Sequence, residues 1–323
     1  MPIPLAAIRD AAARVAPHLH RTPVLSATSL GERAGVRLTL KVESFQKTGS
    51  FKPRGALNIV LTLPPERRER GLLTVSAGNH AQAVAWAAHV VHAPCTVVMP
   101  TDAPRSKLTA VRGYGARVVL HDDRATLFER MREEEARTGA TFVHPFDDPQ
   151  GLAGAGTLGL ELVEQCPELD AVFVPIGGGG LMAGVACAVK ALRPRCRVIG
   201  VELADGPGMT PALAAGKPVH VPRPRTLADG LTPPFVGAIP LEAARRHLET
   251  IVLVSEEGIA EAMRALFERA RLVAEGSGAA ALAGLFSGQV KLERGENVAV
   301  IVSGGNVDAE RFVELYPSAK VTT

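Results

Sequence analysis

Short apolar runs alternate with helical patterns from about residue 70 onward, and this alternation constrains the fold more than any other feature of the chain. Leu72–Val75, Cys95–Met99, Arg117–Leu120, Ala171–Ile176, Arg197–Glu202, Ile251–Val254 and Val298–Val302 read as strands, with a short one at Phe142–His144. Between them, Ala81–Val91, Pro104–Val111, Arg124–Arg137, Gly154–Gln165, Leu181–Leu192, Glu256 to about Leu272, and Ala279–Phe286 carry helical patterning. Apolar strands separated by helices belong to parallel sheets covered on both faces. The sequence therefore predicts an α/β architecture, with parallel-rich sheets flanked by helices. Residues 203–240 interrupt the rhythm with many Pro and Gly and read as a long surface excursion. At roughly 150 residues per domain, a chain of 323 residues predicts two lobes. No low-complexity linker separates them, so they pack directly and the cleft between them is the expected ligand site.

Composition excludes several classes. With 46% hydrophobic and 21% charged residues the chain is not disordered. Its net charge of +3 comes without any basic block, so no nucleic-acid partner is expected. Cys95, Cys166, Cys187 and Cys196 lack CxxC spacing and read as buried free thiols in a reducing compartment. Leu5, Ile8, Ala12 and Val15 lie at helical spacing with Arg9, Asp10 and Arg14 between them, unlike a secretory signal. No apolar run reaches the ~18 residues that span a bilayer. These features predict a cytoplasmic protein without a membrane partner.

Four segments at strand ends look chemical, and strand ends are where α/β proteins place ligands. Gly177-Gly178-Gly179-Gly180 follows one strand and opens a helix. Bare amides feeding a helix N-terminus form an anion cradle, usually for phosphate. A tight turn would explain one or two glycines, not four. In Ser50-Phe51-Lys52-Pro53, Ser50 can cap a helix and Pro53 suits its first turn. The helix dipole there favours a neutral Lys52 amine, the form that attacks an aldehyde; a solvated lysine at a helix start is the plainer reading. Ser76-Ala77-Gly78-Asn79-His80 can take up a carboxylate or simply cap a helix, and Ser303-Gly304-Gly305-Asn306 ends a strand. A dinucleotide site is the competing reading, because Glu202 ends the strand after the glycine run, as a ribose-binding acid does. The glycine spacing departs from that fingerprint, and no Walker A sequence occurs.

Taken together, Ser50–Ala56, Ser76–Gln82, Gly177–Leu181 and Ser303–Asp308, with His20–Pro23 and Ala228–Gly230, make the chain resemble the serine/threonine dehydratase and serine racemase family of fold-type II enzymes, which use pyridoxal phosphate (PLP). The resemblance implies a two-lobed, tryptophan synthase β-like fold, with a small domain at residues 72–148 and a large one from 1–71 plus 149–323. It implies that Lys52 carries PLP as a Schiff base and removes the Cα proton. Gly177, Gly178, Gly179 and Gly180 would hold the cofactor phosphate, Asn79 its ring oxygen and Ser303 its pyridine nitrogen, with Phe51 against the ring. Ser76, Ala77, Gly78, Asn79 and His80 would grip the substrate carboxylate. Glu202 would be a ligand for a divalent or monovalent cation, with Asp205 as a substitute second ligand. Family members are dimers or tetramers, so a homo-oligomer is expected.

The implied reaction is dehydration of L-threonine or L-serine to a 2-oxo acid and ammonia. A hydroxyl such as Ser303 does not hold the pyridine nitrogen protonated, so the ring is a weaker electron sink and β-elimination is the easier route. Racemases of the family resemble S-S-G-N-H in the carboxylate loop, where this chain has Ala77; racemization is expected to be weak or absent. Other 3-hydroxy amino acids, 3-hydroxyaspartate and phenylserine, are the alternative substrates, with Thr232-Pro233-Pro234-Phe235 at the side-chain end of the pocket. An NAD-binding oxidoreductase is the alternative from another class. The chain carries no added regulatory domain after residue 323, so feedback inhibition through one is expected to be absent.

Overall fold

Ladder hydrogen bonds sort the strands into two sheets. The structure is a computed structural model and describes residues 2–316. The strands are β1 (Val24–Ser26), β2 (Arg37–Val42), β3 (Leu72–Val75), β4 (Cys95–Pro100), β5 (Arg117–His121), β6 (Thr141–Phe142), β7 (Ala171–Pro175), β8 (Arg197–Leu203), β9 (Thr250–Val254) and β10 (Asn297–Val302). A six-stranded sheet runs β1-β2-β10-β7-β8-β9 and a four-stranded sheet β5-β4-β3-β6. Every pairing is parallel except β1 with β2.

The helices are α1 (Leu5–Val15), α2 (Thr28–Ala34), α3 (Lys52–Thr62), α4 (Pro65–Glu69), α5 (Asn79–Val90), α6 (Arg105–Gly113), α7 (Leu127–Thr138), α8 (Pro149–Gln165), α9 (Gly180–Leu192), α10 (Met209–Ala215), α11 (Ala238–His247), α12 (Glu256–Ala270), α13 (Gly276–Phe286) and α14 (Ala309–Val313). Both faces of the larger sheet are covered, as continuous apolar strands require. All five residues of β7 are buried, Ala171 and Phe173 toward one core and Val172 and Val174 toward the other. The first core includes residues of α12 and α13, and the second includes residues of α8 and α9. Burying each large aliphatic or aromatic side chain contributes about 1.5–3 kcal/mol.

Several boundaries differ from the sequence reading for local reasons. α8 begins at Pro149 because Asp148 accepts from the amides of Gln150 and Gly151 at 2.8 and 2.9 Å. β6 ends at Phe142 instead of His144, where His144 Nδ1 accepts from the Phe146 and Asp147 amides and turns the chain out of the sheet. α12 stops at Ala270 because Arg271 takes a left-handed conformation. Residues 203–240 are not wholly a surface excursion: they contain α10 and bury Met209, Ala212, Ala228, Leu231 and Val236. Of the cysteines, Cys187 and Cys196 are buried, whereas Cys95 and Cys166 are only partly so.

A buried ionic network fixes the start of α3. Arg54 donates Nε and Nη2 to Glu43 at 2.7 and 2.9 Å, and Nη1 and Nη2 to Glu161 of α8 at 2.7 and 2.9 Å. Lys41 of β2 adds a bond to Glu161 at 2.6 Å and another to the Thr22 carbonyl at 2.8 Å. The Thr22 hydroxyl donates to Glu43. Two cations and two carboxylates thus balance inside the protein, joining β2, α3 and α8. A Cβ at Gly154 would collide with the Arg54 carbonyl, so the glycine permits the close approach of α3 to α8 that the network needs. Removing one partner leaves buried charges uncompensated, at a cost of about 3–5 kcal/mol. Arg54→Met is therefore expected to lose stability of that order in a denaturant titration; a loss below about 1 kcal/mol, the scale of exposed pairs, would show that the network does not hold α3.

Candidate active site

α3 begins at Lys52, with Pro53 in its first turn as the sequence predicts. Ser50, however, does not cap it: its hydroxyl is buried without a partner, and the residue before the helix is Phe51. The helix entrance is held instead by the Phe51 amide, which donates to the Ser303 carbonyl at 3.0 Å. This bond brings the lysine segment against the Ser303–Asn306 turn, where the Gly305 amide also donates to Gly49 at 2.9 Å. The Lys52 amine donates to the Pro145 carbonyl at 2.9 Å and lies 5.1 Å from the centre of the Phe51 ring. Burial lowers its pKa to about 8. Desolvation thus favours the neutral amine.

The glycine run meets Lys52 through the same dipeptide. A Cβ at Gly178 would collide with the ring of Phe146, the residue after Pro145. Gly179 has φ +90 and Gly180 opens α9, so the loop presents its backbone at a helix N-terminus. The Gly178 carbonyl accepts from the Gly237 amide at 3.0 Å, fixing the loop from outside.

Ser76 and Asn79 occupy the end of β3 and the first position of α5. Ser76 Oγ accepts from the Gly78 amide at 3.1 Å and so shapes the loop without capping the helix. His80 Nε2 donates to the Val143 carbonyl at 3.0 Å; burial, reinforced by the Lys52 charge, lowers its pKa to about 3. Its neutral ring is thereby tied to the four-stranded sheet, leaving backbone groups as its contribution to the loop. Asn79 donates Nδ2 to Glu275 and accepts from Asn306 Nδ2 at 2.9 Å. Ser303 donates Oγ to the Ser277 carbonyl at 3.2 Å.

Lys107 and its pairing with Glu275 and Asp229 have no place in the sequence reading, although Asp229 falls within the Ala228–Gly230 segment that carries the resemblance. Lys107 of α6 is buried and reaches Asp229 at 3.2 Å and Glu275 at 3.5 Å. Its amine would lie 3.6 Å from a Cβ at Gly78, beside the carboxylate loop. Burial disfavours the Lys107 charge, but Glu275 and Asp229 outweigh it and hold its pKa above the ordinary value. Burial pushes Glu275 up, opposed by Lys107 and assisted by Asp229. The available signal is compositional, since lysines are few beside arginines; the partners lie too far away in sequence to infer.

Glu202 does not fit a cation ligand. Both carboxylate oxygens are committed to the start of α10, accepting from the amides of Gly208, Met209 and Thr210 at 2.8, 2.6 and 2.9 Å and from the Thr210 hydroxyl at 2.6 Å. Asp205 is exposed, and among the described residues no group of three His, Cys, Asp or Glu side chains could hold a metal ion. The same four bonds remove Glu202 as a ribose ligand, so the dinucleotide reading loses its acid. For PLP the residues do fit: a lysine whose pKa burial lowers and a glycine loop at a helix N-terminus meet at Pro145–Phe146, with Phe51 beside the lysine.

Fold and site together define a two-sheet α/β protein in which a lysine of lowered pKa and a glycine loop at a helix N-terminus meet at Pro145–Phe146. The sequence matches the family described as pyridoxal-phosphate dependent enzyme over residues 15–304. The chain belongs to that family. It is 43% identical over 311 residues to an L-threonine ammonia-lyase of Thermotoga maritima, covering 95% of this chain and 76% of the relative. It is 38% identical to an L-threo-3-hydroxyaspartate ammonia-lyase of Saccharomyces cerevisiae, covering 95% and 94%. Among solved structures, maize serine racemase superposes with a TM-score of 0.93 at 38% identity, covering 97% of each chain. The tomato (Solanum lycopersicum) threonine deaminase isoform 2, in its processed form, gives 0.91 at 35% identity, covering 96% of this chain and 92% of that one. The protein is therefore a PLP-dependent enzyme of the dehydratase and racemase group, and no described helix is long and apolar enough to cross a membrane.

Since burial lowers Lys52 to about 8, its neutral fraction grows as pH rises through that value. Attachment of PLP to the apo-protein, followed by the rise of visible absorbance, is expected to accelerate up to pH about 8 and then level off. A rate still climbing toward the ordinary lysine value of 10.5 would contradict this account of Lys52.

Proposed function

We propose that the chain is a cytoplasmic ammonia-lyase that removes water from a 3-hydroxy amino acid of the L-threonine or L-serine type, giving a 2-oxo acid and ammonia. The carrying observation is the convergence of Lys52 and the glycine loop on Pro145–Phe146. The ammonia-lyase names of relatives at 43% and 38% identity support the reaction class.

In this reading bound PLP supplies the electron sink that makes the Cα proton and β-hydroxyl removable. Lys52 attaches the cofactor and its amine takes the Cα proton. The amides of Gly177–Gly180, with the α9 dipole, bind the phosphate. Asn79, oriented by Glu275 and Asn306, would hold the cofactor's ring oxygen, and Phe51 and Ser303 would hold its ring. Ser76 and the Ala77–His80 backbone at the start of α5 bind the substrate carboxylate. Residues 72–148 act as the small lobe, which closes over the rest and excludes water. We assign no cation to the reaction, and the working state is a homo-oligomer, a dimer or tetramer.

Ala77 carries no exchangeable proton, so nothing at that loop position delivers one to the opposite face of Cα. Two outcomes follow for the PLP-loaded protein given L-serine and L-threonine separately. A 2-oxo acid is expected from at least one substrate, at a rate that falls by at least about 100-fold, the scale of a lost general base, in Lys52→Ala. D-serine is expected to form far more slowly than 2-oxo acid by chiral chromatography; comparable rates would rule out the assignment of Ala77.

A further inference from the structure

Aromatic side chains wall the cleft beside Lys52. Phe146 sits one residue beyond the carbonyl that holds the lysine amine, with its ring against the glycine loop. Phe235 meets Phe146 edge-on at 5.6 Å between ring centres, and Phe128 of α7 meets Phe235 at 6.0 Å. The three rings thus run from the glycine loop, through the segment after Asp229, to the lobe carrying the four-stranded sheet. Pro233 adds an apolar edge, with its Cδ 3.5 Å from the position of a Cβ at Gly177. All three phenylalanines are only half-buried, and neither Phe146 nor Phe235 belongs to a hydrophobic core. They pack on one another, with His144 against Phe146 and His220 against Phe235, and part of their apolar surface stays uncovered.

Two of the three cations nearby have carboxylate partners. Lys107, the cation beside the carboxylate loop, lies between Asp229 and Glu275, so a second acidic group entering there meets one positive and two negative side chains. Arg124 is bound to Asp102 through Nε at 3.0 Å to each oxygen. Arg223 gives Nε to the Thr232 carbonyl at 2.9 Å. A carboxylate placed against the aromatic wall would lose water and find Lys107 and Arg124 already paired with carboxylates, leaving Arg223 as the one cation of the three to meet it. An aryl or alkyl group there adds apolar contact and edge-to-face geometry with rings already spaced for it.

We infer that Phe128, Phe146, Phe235 and Pro233 form the subsite for the substrate's β-substituent, which favours an apolar group over a carboxylate. The inference rests on the proposed elimination and narrows its substrate class to 3-hydroxy amino acids of the phenylserine and threonine type, away from 3-hydroxyaspartate.

The test is kcat/KM of the PLP-loaded protein for L-threo-3-phenylserine, L-threonine and L-threo-3-hydroxyaspartate, each alone. Both apolar substrates are expected to exceed 3-hydroxyaspartate by about 100-fold, the scale on which an apolar pocket discriminates against an added polar group. Phe235→Arg and Phe128→Arg, made separately and checked for cofactor content and melting temperature, are expected to raise 3-hydroxyaspartate relative to phenylserine in at least one. Binding of L-phenylalanine and L-aspartate, which lack a β-leaving group, is measured by calorimetry. Should no substrate yield a 2-oxo acid, the elimination reading fails, while tighter binding of L-phenylalanine than of L-aspartate still supports the subsite. Equal or better use of 3-hydroxyaspartate, or equal or tighter binding of L-aspartate, overturns it; loss of that preference in Arg223→Ala would then assign the carboxylate to Arg223.

Discussion

The bidentate grip of Glu43 and Glu161 on Arg54 is the interaction on which the active site depends. It acts two residues beyond Lys52 and is largely internal, with Arg54 and Glu43 buried and Glu161 16% exposed, so water weakens it less than a surface pair. Because Glu161 lies on α8 and Lys41 on β2, the network sets α3 against both the larger sheet and the long helix behind it. The lysine amine is then delivered to the Pro145 carbonyl at the head of the segment that leads into α8. A buried ion pair of this sort is weak evidence for added stability but good evidence for a fixed geometry, since few other arrangements satisfy all four charges.

From that anchor, the cleft is assembled by loops at strand ends. The turns after β3, β7 and β10 bring Ser76–His80, Gly177–Gly180 and Ser303–Asn306 to one place, as parallel sheets with helical crossovers do. Backbone bonds between Phe51 and Ser303, and between Gly49 and Gly305, join turns from opposite ends of the chain. Lys107 provides the link from the four-stranded sheet to Asp229 and Glu275, and Glu275 passes that link to Asn79. The carboxylate that orients Asn79 also occupies Lys107, which therefore has little charge to offer an acidic substrate side chain.

Much of this is legible in the sequence because the relevant physics is local. Short apolar runs between helical patterns give β3, β4, β5, β7, β8, β9 and β10, and four glycines between a strand and a helix have few structural excuses. The parts that are not legible depend on partners distant in the chain. Arg54 reads as one more residue of a motif until Glu161 is beside it, and Glu275 gains a role only when Lys107 arrives from α6. Ser50 looks like a helix cap by type and position, yet its hydroxyl points where no backbone amide waits. Glu202 looks like a metal or ribose ligand at a strand end, but the chain turns back and gives its carboxylate the amides of Gly208, Met209 and Thr210 at the entrance of α10. The start of α8 is a different case, because its signal is local: Asp148-Pro149 is a cap followed by a first-turn proline, a cue that the helical pattern from Gly154 onward does not use.

The central claim is that this framework delivers one lysine, and only that one, to the cofactor. The direct measurement is borohydride reduction of the PLP-loaded protein followed by peptide mass mapping. The account predicts a single pyridoxyl adduct on Lys52. An adduct on Lys107 or Lys41, or none on a protein that remains yellow, would contradict it.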